Sequence, residues 1–463
     1  MSDGPREVPL WRGVASARRA TTRARALAAR AVQSQTGSNA GWLLLDRVVR
    51  QGGSLLLNLL IARYLGVRGW GVLSYAAALA SFAAAVANAG IDAVVVRDLV
   101  RSPERRLDVL GSALVVRLAS GAVAVLGVVG VAWRFAPDPR DTVPVTVLLC
   151  LGVMFQAFDV TDLWFQAARR VRAAALARLA VFAASLALRG AILAGSGGVL
   201  AVATVTAGEG LLATGALAIA YRRAGQRMSQ WRLDWGSVRA LAREGWPLCL
   251  SGLAVMVYMR IDVVMLGAMS GTREVGLYGA ATRLSEAWYL VPTSVAAAVA
   301  PAIITAHAQD RRAYLILLRR LLRGLTLTAI AVAVVLTATA GPVVGLVFGS
   351  AYRGAEAILA IHVWSGVFVA AGVAQGTWSV CEGLTRLVLL RTVVGAIVNV
   401  VLNLVFIPAF AGVGAALATL IAYALSAVVL NALDYRTRGF FWLQIQALGP
   451  AWLPGRRRQM AGG

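Results

Sequence analysis

The chain is a succession of apolar runs, each about 20 residues or longer, separated by short charged segments. A run of that length can cross the ~30 Å hydrocarbon core of a bilayer as a helix. Backbone placed in lipid must satisfy its own hydrogen bonds, which leaves helices or a closed barrel. Alternating strand patterns are missing and the runs are long, so a β-barrel is excluded. The expected spans are 42–64, 71–96, 107–133, 144–167, 174–194, 197–221, 244–268, 275–303, 321–349, 355–378, 386–408 and 411–433. The predicted fold class is an all-α integral membrane protein with about 12 transmembrane helices.

Hydrophobic residues make up 59% of the chain and charged residues 14%, against roughly 25% charged in a soluble domain. All 45 basic residues are arginine, and the net charge is +24. In a soluble chain that excess would point to nucleic acid. Here the arginines lie in loops between apolar runs, where their asymmetry sets membrane orientation. Loops rich in arginine (Arg97 to Arg106; Arg169, Arg170, Arg172; Arg222 to Arg243; Arg311 to Arg320) alternate with loops that are poor or acid-balanced, such as Arg134 and Arg140 beside Asp138 and Asp141. The alternation puts both termini in the cytoplasm. The outward loops are short and leave no extracytoplasmic domain to host catalysis. Trp42, Trp70, Trp133, Trp164 and Trp246 stand at span ends, as an interfacial belt requires.

The expected organisation is a basic cytoplasmic arm at 1–40, a six-helix lobe at 41–221, a cytoplasmic linker at 222–243, a second six-helix lobe at 244–433 and a cytoplasmic tail at 434–463. A short repeat supports the division. Leu65-Gly66 followed by Gly71-Val-Leu-Ser-Tyr-Ala76 corresponds to Leu266-Gly267 followed by Gly276-Leu-Tyr-Gly-Ala-Ala281. An even number of helices separates the copies, so the two lobes are parallel, with substrate expected in a central cavity between them.

Charges inside the spans are the candidate functional residues, because an arginine or aspartate at mid-membrane costs about 2.5–3.5 kcal/mol and usually faces a bundle interior or a wet cavity. Arg260 and Asp262, one residue apart inside a long apolar run, head the set. They either face the cavity or neutralise one another. Arg47 and Arg50 lie on neighbouring turns of the first span; they face the cavity or snorkel to the interface, and Asp46 is spaced to pair with Arg50. Arg117 lies about two turns into the third span. Asp159 and Asp162 share a helix face, where they bind a coupling cation or pair with Arg169 and Arg170. Glu209 and Glu286 are further acids, the latter three residues after Arg283 and so positioned to pair with it. Asn399 and Asn403 share a face and serve as cavity polar groups or interhelical hydrogen bonds. Cys150, Cys249 and Cys381 read as small core residues. No metal site, cofactor or ATP-binding loop is expected, and the two histidines, His307 and His362, belong to no nucleophile arrangement. The chain is therefore expected not to be an enzyme.

Several stretches together resemble a known family. They are Ala62-Arg-Tyr-Leu-Gly66 with Trp70-Gly71; Gly90-Ile-Asp92 followed by Arg97; Arg260-Ile-Asp262 followed by Gly276-Leu-Tyr278 and Ala280-Ala281; and Asn399-Val-Val-Leu-Asn403 followed by Ile407-Pro408 and Gly414-Ala-Ala416. Over roughly 40–435 the chain resembles the bacterial oligosaccharide-lipid flippases, the O-antigen and polysaccharide exporters of the multidrug/oligosaccharidyl-lipid/polysaccharide superfamily. The long basic arm departs from the family's usual short start. The resemblance implies a multi-pass protein of the bacterial inner membrane. It implies a cationic central cavity and a polyprenyl-pyrophosphate-linked oligosaccharide as substrate, moved from the inner to the outer leaflet for polysaccharide biosynthesis. Arg260, then Arg47, Arg50 and Arg117, are the residues expected to hold the pyrophosphate, since guanidinium forks bind phosphate oxygens in pairs. Asp262, Asp159, Asp162 and Glu209 are the candidates for proton or sodium coupling. The expected partners are the lipid-linked oligosaccharide, the bilayer and other polysaccharide-assembly proteins, with no nucleic acid. The alternative is a cation-coupled multidrug or small-solute exporter of the same architecture.

Overall fold

A computed structural model describes the backbone of residues 11–448 and the side chains of residues 46 and 49–448. The side chains of the basic arm, of Trp42 and of Arg47 lie outside the described residues, as do residues 449–463. Among the described residues the chain is helical throughout, with no strand. The first set of helices is α1 (Trp11–Ala87), α2 (Asp92–Arg101), α3 (Arg106–Phe135), α4 (Pro139–Gln156), α5 (Val160–Ala167), α6 (Val171–Ala194) and α7 (Val199–Arg223). The second is α8 (Trp235–Ser270), α9 (Thr272–Glu286), α10 (Leu290–Gln309), α11 (Arg311–Ala338), α12 (Ala340–Phe348), α13 (Ala355–His362), α14 (Ser365–Cys381), α15 (Thr385–Ala424), α16 (Leu430–Leu433) and α17 (Arg438–Leu448).

Among the described residues, ten stretches are long and apolar enough to cross a membrane. Two of them, Val49–Arg101 and Thr385–Leu433, run to 53 and 49 residues. Unbroken, each would be roughly 75–80 Å long at 1.5 Å per residue, more than twice the hydrocarbon thickness. The first is broken at Gly66 (φ 65, ψ 177) and again at residues 88–91, where Ala89 and Gly90 have positive φ, and the second at Ala411 (φ 47, ψ −125). Ten stretches stand against the expected count of about twelve. At the Ala411 break the backbone N–H of Gly412 donates to the Glu274 carboxylate of α9 at 3.4 Å, which ties the turn to a neighbouring helix.

In lipid, helices gain little from hiding apolar surface from their equally apolar surroundings. Close approach of small residues and interhelical hydrogen bonds take over. The repeat glycines do this work, and they do it against each other. A Cβ on Gly71 would stand 2.0 Å from the Thr272 carbonyl oxygen, and one on Gly276 would stand 2.0 Å from that of Val67. Gly267 similarly leaves room for the Tyr75 ring, 2.4 Å from where its Cβ would be. The largest buried cluster therefore runs through both sets of helices, with Trp70, Tyr75 and Tyr278 at its centre. Trp70 and Trp164 are buried rather than interfacial, whereas Trp133 and Trp246 are exposed as expected. Trp70 departs because it packs beside Gly279 at the helix crossing.

The segment between α7 and α8 is fastened to α3. The Arg232 N–H donates to the Leu107 carbonyl, and the Ser112 hydroxyl donates to the Asp234 carbonyl. Asp234 caps α8 by accepting from the N–H groups of Gly236 and Ser237 at 3.3 and 2.9 Å. The Ser237 hydroxyl and backbone N–H together hold this carboxyl below its ordinary 3.8.

Candidate functional site

Three adjoining voids of about 950, 520 and 220 Å³ are lined by α1, α4, α6 and α7; the largest also reaches Asp162 of α5 and the α9–α10 segment, and the smallest reaches Arg283 of α9. They share lining residues, so they form one branched cavity: Arg50 and Asp159 line the first two, Glu209 the second and third, Arg283 the first and third. The smallest branch ends beneath Trp70 and Leu73, just under the glycine contact that joins the two copies of the repeat.

The wall is dense with ionic pairs. Asp46 forms an ion pair with Arg50 at 3.1 Å, the predicted i, i+4 pair, and accepts a hydrogen bond from Arg178 at 3.3 Å. Arg178 reaches on to Asp162 at 2.5 Å and so bridges α1 to α5. Arg189 donates to Glu209 at 2.7 Å and to the Thr206 hydroxyl at 3.2 Å. Across the cavity, Arg260 donates to Glu286 at 3.1 Å. Two lining charges make no hydrogen bond or ion pair among the described residues: Asp159 on the α5 side and Arg283 on α9. The described lining carries Arg50, Arg178, Arg189 and Arg283 against Asp46, Asp159, Asp162, Glu209 and Glu286. These are four arginines and five carboxylates, with Arg47 outside the described side chains.

The predicted residues divide by position. Arg50, Asp159, Asp162 and Glu209 line the cavity. Arg260 stands behind its wall and reaches it through Glu286, which is a lining residue. Arg117 is 3% exposed and is engaged by Asp92 at 2.5 Å and by the Gln156 carbonyl. It is a packing arginine between α2, α3 and α4, not a cavity residue. Asp262 is also withdrawn from the cavity. It accepts from the Tyr278 hydroxyl, from the Val263 N–H and from the Thr419 hydroxyl. Asn399 and Asn403 join the same buried cluster: Asn403 donates to Asn399 at 3.0 Å, and Asn399 donates to Thr419 at 3.4 Å. The first bond runs along one helix and the second crosses the Ala411 break to Thr419, which in turn donates to Asp262 of α8, so the pair serves helix packing, in line with the second of the two readings. Asp162 pairs with Arg178 rather than Arg169 or Arg170, and Glu286 with Arg260 rather than Arg283.

Arg178, Arg189 and Arg283 are the cavity residues that the sequence reading passed over. The available signal was the one that singled out Arg260, a lone arginine inside an apolar span. The partners of Arg178 and Arg189 come from other helices, so no spacing within one helix announces them.

A family model described as "Polysaccharide biosynthesis protein" matches residues 36–307. The chain belongs to that family. It is a multi-span membrane protein of the flippase and transporter kind, within the multidrug/oligosaccharidyl-lipid/polysaccharide superfamily. A second family model, MatE, matches residues 247–405. Among curated proteins the chain is 31% identical over 211 residues to a probable flippase, AglR, of Haloferax volcanii, covering 42% of this chain. The match spans 40% of that relative's own length. Among solved structures the fold is similar to the lipid II flippase MurJ in an inward closed conformation, with a TM-score of 0.68 at 13% identity over 87% of this chain and 90% of the other. It is equally similar to an inward-facing multidrug resistance MATE family transporter, with a TM-score of 0.70 at 16% identity over 88% and 98%.

Proposed function

We propose that this protein moves a polyprenyl-pyrophosphate-linked oligosaccharide from the inner to the outer leaflet for polysaccharide assembly. The observation that carries the reading is Arg283, a guanidinium in the cavity wall with no hydrogen-bonding or ion-pair partner among the described residues. An arginine within the membrane that makes no hydrogen bond is costly. An entering pyrophosphate supplies the missing anion, and the planar guanidinium fork binds phosphate oxygens in pairs. Arg50 and Arg178 lie on the opposite wall, held by Asp46 and Asp162. In this reading the headgroup takes over those arginines from their carboxylates, so release is an exchange of partners rather than exposure of bare charge. The probable flippase among the relatives supports the substrate class.

The two sets of helices are the two parallel lobes of an alternating-access transporter, and the Gly71–Gly276 contact is the seal on the outer side. In this reading both termini are cytoplasmic, which the arginine-rich loops support, and the protein works in the plasma membrane of a bacterium. Each negative charge moved outward gains about 2.3 kcal/mol per 100 mV, inside negative, if the arginines stay in place. Proton or sodium coupling through Asp159 adds to that drive. The chain's work is transport, not catalysis, and other polysaccharide-assembly proteins supply and consume its cargo.

The unpaired Asp159 favours a second reading, a cation-coupled exporter of cationic small solutes. Cells that depend on this protein for surface polysaccharide distinguish the two. Arg283→Ala at normal protein level abolishes polymer under the first reading. Under the second, polymer persists and Asp159→Asn lowers resistance to cationic drugs.

A further inference from the structure

An apolar groove of about 420 Å³ runs between α10 and α11, on the side of α10 turned away from the cavity. Leu290 and Thr293 line the cavity, whereas Val291 and Val295 of the same helix line the groove. Its walls are Trp288, Val295 and Val299 on α10 and Leu321 and Leu325 on α11, with Gly324 leaving the floor open. One charge, Arg320, borders it.

We propose that this groove is a binding site for one anionic diacyl phospholipid of the leaflet at the Arg311 end of α11. Two observations select that occupant. The first is charge. Arg320 makes no hydrogen bond or ion pair among the described residues. With Arg319 and Arg323 it is among the last charges of α11, because Gly324 to Ala338 contains none. It therefore sits where the phosphate layer meets hydrocarbon, a cation at the edge of the groove awaiting an anion. Basic pockets between helices at that depth are the usual seats of anionic headgroups. The second is length. From Val299 to Trp288 is eleven residues, roughly 16 Å, about half of a ~30 Å core. That accommodates acyl chains of one leaflet and is too short for an extended polyprenyl chain. A lipid seated there backs α10, which presents Leu290 and Thr293 to the cavity, so its occupancy stiffens that wall.

The test uses the full chain in lipid nanodiscs with three photoreactive probes: phosphatidylglycerol and phosphatidylcholine bearing identical diazirine acyl chains, and a diazirine polyprenyl phosphate. Labelled peptides are mapped by mass spectrometry. Phosphatidylglycerol labels peptides 288–299 and 317–328 at least fivefold more than phosphatidylcholine. Arg320→Gln removes that preference, Arg320→Lys retains most of it, and Val295→Trp lowers labelling by both phospholipids. Arg353→Gln, at an exposed arginine outside the groove, changes nothing. Equal labelling by the two phospholipids would mean ordinary annular lipid and overturn the proposal. Stronger labelling by polyprenyl phosphate would assign the groove to the substrate tail and overturn it as well.

Discussion

Arg260 and Glu286 meet at 3.1 Å, the arginine from α8 standing behind the cavity wall and the acid, at the end of α9, forming part of it. The pair fixes a carboxylate at the cavity and neutralises it from the protein side. Breaking such a pair leaves one charge uncompensated in a dry place, which costs about 3–5 kcal/mol, whereas replacing both members by apolar residues of similar volume is nearly neutral. Arg260→Ala or Glu286→Ala alone is therefore expected to lower the unfolding temperature of the detergent-solubilised protein. The double change Arg260→Met with Glu286→Leu regains most of the loss. Single variants as stable as the double would contradict the pairing.

The contact between Gly71 and the α9 backbone makes a second prediction. With 2.0 Å between the built Cβ and the Thr272 carbonyl oxygen, no side chain fits without parting α1 from α9. Gly71→Val and Gly276→Val should each loosen this end of the bundle. A cysteine introduced at Ser54, which lines the cavity, is then labelled from that side by a membrane-impermeant maleimide several-fold faster than in the parent. Unchanged labelling would show that the seal lies elsewhere.

Asp234 gives the pH prediction. Hydrogen bonds from Ser237 favour its charged form and lower its pKa from the ordinary 3.8. A depressed acid contributes stability above the unfolded value, and that contribution fades as the pH falls through the folded value. Asp234→Ala should therefore lower the unfolding temperature at pH 7, through loss of the α8 cap. The difference from the parent shrinks below about pH 3.8. A difference independent of pH would assign the effect to packing alone.

The spans were legible because a bilayer demands uncharged stretches of fixed length, and Asp46 with Arg50 was legible because helical spacing dictates the contact. The glycine repeat was visible too, but not that its copies touch, since a repeat records resemblance and not adjacency. Glu286 illustrates the limit most clearly. Its sequence neighbour Arg283 stands at pairing distance along the helix, yet the partner comes from α8, and Arg283 is left to the cavity. Arg178 and Arg189 escaped for the same reason, because their acids lie on other helices. Arginines stand out in an apolar chain, while the carboxylates that meet them arrive from elsewhere in the fold.

The most direct test of the account is binding of a polyprenyl pyrophosphate to the purified full chain, followed by native mass spectrometry, with Arg283→Ala and Arg283→Lys beside the parent. Hydrogen bonds to charged groups contribute about 1.5–3 kcal/mol, so the account predicts at least a tenfold loss of affinity for Arg283→Ala and a smaller loss for Arg283→Lys. Binding of the pyrophosphate lipid with equal affinity by all three would contradict it.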